Sequence, residues 1–144
     1  MIKAENHNRA NRALWLSFLS EAYLLAGRSS DAAETARRGI EGARGRQERG
    51  EEAWNLRALA EALCADACDV SGAEGHYREA LALAEELGMR PLVARCHAGL
   101  ASLYRRTGQL QQARELLTTA LMMYREMGMR FWLNEAESEM KALE

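Results

Sequence analysis

One pattern recurs along this chain at intervals of about 40 residues, and a chain that repeats itself at that spacing is confined to stacked copies of a single supersecondary unit. Its clearest copy is Leu100-Ala101, Tyr104, Gly108, Ala113 and Ala120-Leu121. A large apolar residue beside a small one, an aromatic one turn later, a Gly at the helix end and further Ala at helical spacing describe two antiparallel helices packed closely where the small residues fall. The same order appears upstream as Leu19-Ser20, Tyr23, Gly27, Ala32 and Gly39-Ile40, with a degenerate middle copy in Leu59-Ala60, Leu63, Ala73, Tyr77 and Ala80-Leu81. The joints agree in phase: Gly88-Met89-Arg90-Pro91-Leu92 returns 40 residues later as Gly128-Met129-Arg130-Phe131-Trp132.

A single Pro and an abundance of Ala, Leu, Glu and Arg favour helix throughout, and no alternating Val/Ile/Thr run reads as a strand. The class expected is all-α. At 144 residues and 48% hydrophobic content the chain suffices for one continuous core. A net charge of −2 provides no basic field for nucleic acid or an anionic membrane. No stretch approaches the roughly 20 apolar residues of a membrane span, and no signal-peptide core opens the chain, so a cytoplasmic protein is expected. Three Cys, an odd number, do not make a disulfide framework.

The expected layout is one domain, 1–144, with repeats at about 8–46, 50–88 and 90–128 and a capping helix at 130–143. Residues 1–7 carry no period. The first helix runs from about Asn8 to Ala26 and stops at Gly27. Ser29-Ser30-Asp31 supplies cap chemistry for the second, with Asp31 and Glu34 at capping-box spacing, and Ser71 with Glu74 does the same for the fourth. The stretch from Gly45 to Gly50 reads as an exposed joint, followed by a third helix from about Glu51 to Ala67. Pro91 suits the first turn of the fifth helix, which ends at Gly108. The sixth helix covers about Gln109 to Met127. The seventh has only a narrow apolar stripe, Trp132, Ala136, Met140 and Leu143, as a solvated end cap requires.

The first helix is different. Leu14, Trp15, Leu16, Phe18, Leu19, Tyr23, Leu24 and Leu25 cover most of its circumference, and a helix apolar all round is normally buried on more than one side. Its outer face calls for preceding repeats of a longer parent, a partner, or a second copy. In an isolated chain the simplest closed solution is a homodimer through this helix, with Trp15, Phe18 and Leu25 at its centre.

Cys64 and Cys68 fall at i and i+4, with His76, Cys96 and His97 on neighbouring helices, so the rival reading is a small Cys/His metal-binding protein or hydrolase. Zinc favours tight ligand spacings that are missing here, and Cys96 and His97 point about 100° apart on a helix. The three Cys serve better as small fillers between helices. The Gly residues stand singly without a phosphate-loop context. No catalytic residue, metal or cofactor is assigned.

At the residues quoted, the chain resembles the tetratricopeptide repeat family, following its large-Leu, Gly/Ala, Tyr, Ala, aromatic, Ala order in the first and third copies. It departs from that family in a period near 40 rather than 34 and in having no Pro after each second helix. The run from Trp54 to Trp132 looks like the C-terminal repeat array of large bacterial signalling proteins, where the array follows a cyclase or kinase-like domain and an AAA-type ATPase domain. The resemblance implies a right-handed superhelix of three hairpins plus a capping helix, and a scaffold that binds a peptide or helix of a partner in its concave groove. Carried over residue by residue, that groove is Ser17, Glu21 and Leu24, then Trp54, Arg57 and Glu61, then Arg95, Ser102 and Arg105, with Arg106 beside them. The family's Lys/Asn clamp for a terminal carboxylate is absent: its positions hold Ser17 and Glu21, Arg57 and Glu61, Ala98 and Ser102. Arg57, Arg95 and Arg105 are expected to orient a partner electrostatically, Trp54 to anchor it, and Arg95, Arg105 and Arg106 to receive an acidic segment. Met122, Met123, Met127 and Met129 are expected mostly in the core.

Overall fold

The computed structural model describes residues 12–65 and 69–144. Among these, seven helices and no strands are found: α1 Arg12–Leu25, α2 Ser29–Gly45, α3 Arg49–Ala65, α4 Val70–Leu87, α5 Arg90–Arg106, α6 Leu110–Met127 and α7 Arg130–Ala142. The fold is an all-α helical repeat, and none of these helices is long and apolar enough to cross a membrane. Two compact units divide the chain between Leu83 and Ala84.

Four of the joints close in the same way. Gly27, Gly88, Gly108 and Gly128 all sit at positive φ (77°, 69°, 82° and 68°). The N–H of the residue after each one donates back to a carbonyl in the last helical turn, as Arg28 does to Tyr23 and Gln109 to Tyr104, both at 2.9 Å. This left-handed cap satisfies carbonyls that the helix end leaves open, and a side chain there would be strained. The joint between α2 and α3 does the same without Gly. Gln47 takes φ 58° and the Glu48 N–H donates to Ala43. The two glycines expected to frame this joint, Gly45 and Gly50, instead lie inside α2 and α3.

The caps expected at helix starts also differ. α2 already begins at Ser29 and no side chain caps it. Asp31 sits within its first turn and reaches back to Arg28 Nε at 2.8 Å. For α4 the capping side chain is Asp69, not Ser71: Asp69 Oδ1 accepts the Gly72 N–H at 2.9 Å, while Glu74 bonds Arg78. A shorter carboxylate one residue before the helix satisfies a first-turn N–H that Ser71, already helical, cannot reach. The expected beginning of the first helix at Asn8 and end of the third at Ala67 lie outside the described residues.

In the first unit α1 and α2 pair, and α3 packs on both of them. The contact is made close by small residues, Ala13, Ala32, Ala36, Ala53, Ala58 and Ala62, all buried, with Ile40, Leu56 and Leu59 filling between them. Asn55 ties the three helices together. Fully buried on α3, it donates through Nδ2 to Ala13 O at 2.8 Å and to Glu51 O at 2.9 Å, and its amide lies against Gly39 of α2, where any Cβ would come within 3.0 Å. Ser20 adds a buried bond from its hydroxyl to Ala32 O at 2.8 Å.

In the second unit α5 pairs with α6 and α7 packs on α6. Its core is Ala94, Ala101, Leu117, Ala120, Leu121, Tyr124 and Ala136. The expected stripe of the last helix, Trp132, Met140 and Leu143, packs against it, as do Met123, Met127 and Met129, whereas Met122 is exposed. Arg90–Glu126 at 2.6 Å and Arg125–Glu137 at 3.4 Å join the helices at the surface.

Candidate functional site

The positions expected to line a groove fall in both units, and each unit treats them differently. In the first, Arg57 is not a surface cation. Its side chain is 0% exposed, held by Glu61 on its own helix and by Glu21 of α1, with Trp54 lying 5.8 Å from its guanidinium. A buried guanidinium needs such paired carboxylates to offset desolvation, so Arg57 is an internal tie between α1 and α3, not a contact for a partner. Ser17 is buried as well, its hydroxyl turned onto Leu14 O at 2.6 Å. What reaches the surface here is Glu21, Leu24, Trp54 and Glu61, all half-buried. Sequence spacing puts Arg57 one turn from Glu61, but its pairing with Glu21 of α1 is something that one helix alone does not reveal.

In the second unit α5 presents Arg95, Ala98, Ser102 and Arg105 at successive steps of three, four and three residues, which lie on one helix face. The first three are half-buried and Arg105 is exposed, as is Arg106 beside it. The final helix shapes both ends of this stripe. Trp132 lies 4.1 Å beneath the Arg95 guanidinium, a cation–π contact that fixes its direction. At the other end Arg105 acts electrostatically on Glu139. Burial pushes its carboxyl above the ordinary range, with Arg105 acting to lower it and Glu135 to raise it. The expected roles of Arg95 and Arg105 missed these partners because α7 read from sequence only as a cap.

Cys96 is buried and Cys64 half-buried, and Cys68 lies outside the described residues. No three His, Cys, Asp or Glu among the described residues are grouped so as to hold a metal ion. His97 is half-buried, and that burial holds its imidazole below the ordinary value, against the pull of Glu85.

Two clefts in the first unit were not foreseen. One, of about 560 Å³, is lined by Arg12, Ala13 and Leu16 of α1 with Arg38, Glu41 and Gly42 of α2 and Arg46. Another, of about 400 Å³, has Ile40, Leu56 and Leu59 as its floor and Arg37, Glu41, Arg44 and His76 around it. The sequence signal for both is the run of Arg37, Arg38, Arg44 and Arg46 along one short helix and its end.

The profile of the tetratricopeptide repeat family matches residues 50–126, more than half of the chain. The chain belongs to the tetratricopeptide repeat family. Solved structures agree on the fold. The apo form of RapI superposes with a TM-score of 0.70 at 17% identity over 92% of this chain and 50% of its own. A Podosopora anserina kinesin-light-chain protein with nearly identical TPR-like repeats gives 0.68 at 21% identity over 81% of this chain and 57% of its own. BtubC (BKLC) from P. vanneervenii gives 0.67 at 19% identity over 91% and 62%. This tetratricopeptide repeat chain thus spans about half to three-fifths of the length of these structures. No curated protein matches it. Membership and fold make the chain a protein–protein interaction scaffold.

Proposed function

We propose that the chain binds a short acidic segment of a partner protein along the α5 stripe, in the concave groove that the first helices of such hairpins line, as a regulatory or adaptor module of bacterial signalling. The observation that carries this reading is the stripe itself. Arg95 and Arg105 stand at its ends, separated by about 15 Å of helix rise, with only Ala98 and Ser102 between them. Small residues keep the middle low enough for a peptide backbone to approach. Two carboxylates four to five residues apart in an extended peptide span about the same distance at roughly 3.3 Å per residue. Guanidinium forks suit carboxylates in two-pronged contact, and the half-buried Trp132 under Arg95 supplies an apolar anchor.

In the first unit, Leu24 and Trp54 bordered by Glu21 and Glu61 favour an apolar or basic segment instead. The signalling role is supported by the Gly-Met-Arg joints at 88–90 and 128–130, which look like those of the bacterial arrays. A reading frame that continues upstream into cyclase or ATPase motifs makes the chain a regulatory portion of a larger protein, and one that opens at Met1 makes it an adaptor.

Peptide-display selection on the immobilised protein tests the groove. Acidic peptides are expected to be enriched, and their affinity to fall at least tenfold in an Arg105→Glu/Arg106→Glu variant and to weaken with salt. Selected peptides indifferent to both reversals and to salt would remove the assignment.

A further inference from the structure

The outer face of α1 has no counterpart elsewhere in the first unit. Trp15, Phe18, Leu19 and Leu25 are 66%, 47%, 43% and 92% exposed, and with Ala22 they form one stripe at steps of three and four residues. It lies opposite the buried face of the helix, Ala13, Ser17 and Ser20. The repeat itself says what such a face is for. Forty residues on, the equivalent positions of α3 are Asn55, Ala58, Leu59, Ala62 and Ala65, and all but Ala65 are buried, where α3 packs on α1 and α2. This is the face by which a repeat receives a neighbouring helix. On α3 the helices approach through Ala and Asn; on α1 the same places hold Phe18 and Trp15, set edge to face at 6.0 Å. That bulk leaves less room for the same close nesting of a further hairpin and suits a single helix resting on top.

The charge beside the stripe tells what kind of helix. On the helix net Trp15 and Leu19 adjoin Arg12 and Leu16, two of the residues that line the 560 Å³ cleft, where Arg38 and Arg46 join Arg12 against one carboxylate, Glu41. Arg46 has a loose pair with Glu48 at 3.5 Å. The apolar stripe is thus bordered along one side by three guanidiniums. We infer that α1 and this cleft together receive an amphipathic helix of a partner protein, its apolar stripe laid on Trp15, Phe18, Ala22 and Leu25 and its acidic edge turned to Arg12, Arg38 and Arg46. A second copy fits less well. An antiparallel two-fold pair through α1 brings both Arg-lined borders to the same side of the seam, and like charges facing each other across an interface oppose association. The exposed side chains offer on the order of 500 Å² of apolar surface, so a docked helix buries about 1,000 Å² in total, the lower bound for a specific contact.

The probe is a monomeric Ala-based helical peptide with four Leu at 3-4-3 spacing, made with either Glu or Lys along one edge and titrated into the full chain. The Glu-edged peptide is expected to bind at least tenfold more tightly than the Lys-edged one. Arg38→Glu/Arg46→Glu is expected to erase or invert that preference, Phe18→Glu to abolish binding of both with the helix content unchanged, and Arg105→Glu to leave it intact, which separates this face from the groove. Equal affinity for the two peptides, or binding that survives Phe18→Glu, overturns the assignment. Sedimentation as a dimer that Phe18→Glu dissociates also overturns it, since the occupant is then a second copy.

Discussion

Replacing Gly39 by Ala should destabilise the protein although the site is in the middle of a helix, where Ala is ordinarily favoured. A methyl group there falls within 3.0 Å of three atoms of the Asn55 amide. Carbon and oxygen settle at about 3.5 Å, so the amide oxygen, 2.0 Å from that methyl, has to retreat by roughly 1.5 Å. It cannot do so and keep its bonds at 2.8 Å to Ala13 O and 2.9 Å to Glu51 O. Two lost hydrogen bonds cost about 1 kcal/mol each, and a buried amide left unpaired costs about 1–3 kcal/mol in desolvation. The helix propensity of Ala returns about 1 kcal/mol. The expected net loss is about 2–4 kcal/mol. Gly42, one turn later in the same helix, and Gly75 in α4 have open space where an added methyl would stand, with nothing within 4 Å of it, so Gly42→Ala and Gly75→Ala should each gain about 0.5–1 kcal/mol. Urea denaturation followed by far-UV circular dichroism measures all three, and Asn55→Ala in the Gly39→Ala background should recover part of the loss. If Gly39→Ala stabilises the chain as its two neighbours do, the close approach of α2 and α3 at this point is not as described.

Further outcomes follow from other sites. Gln47→Gly should stabilise by about 1 kcal/mol, read as a raised denaturation midpoint, because it relieves a side chain at φ 58°. Arg57→Ala should cost about 3 kcal/mol, since it breaks a buried pair and leaves a void between α1 and α3. Glu139, with its folded-state value raised, binds its proton more tightly folded than unfolded, so its contribution to stability falls as pH rises from the ordinary carboxyl range through the raised value. Glu139→Gln should therefore be more stable than the parent at neutral pH, with the difference closing in acid. His97 works in the opposite limb: its lowered value means the unfolded chain takes up the proton first, so stability drops as pH falls below about 6.5, and His97→Gln should flatten that fall.

The repeat period, the all-α class and the glycine joints were legible because each is a local signal repeated in phase. Gly27, Gly88, Gly108 and Gly128 needed only their own turn to be recognised. The apolar circumference of α1 was equally readable, and its exposed face follows from it. What escaped depends on side chains brought together from distant positions. Arg57 looks like a surface cation until Glu21, 36 residues away, is placed beside it. Gly39 and Asn55 are a matched pair, and the trace they leave in sequence is a Gly where the other copies hold Ala80 and Ala120, with an amide in the next helix. Asp69 was missed in favour of Ser71 because both are capping residues and only the helix start decides between them. Trp132 belongs in sequence to the stripe of a cap helix, yet its ring orients Arg95 of the α5 stripe.

The central claim is that binding resides on the stripe from Arg95 to Arg105 on α5, and an amide-resolved NMR titration with an acidic peptide selected on the protein tests it most directly. The largest shifts are expected at Arg95, Ala98, Ser102 and Arg105 and at the side-chain N–H of Trp132, with little change along α6. Shifts concentrated on the outer faces of α2 or α6, with the α5 stripe unmoved, would contradict it.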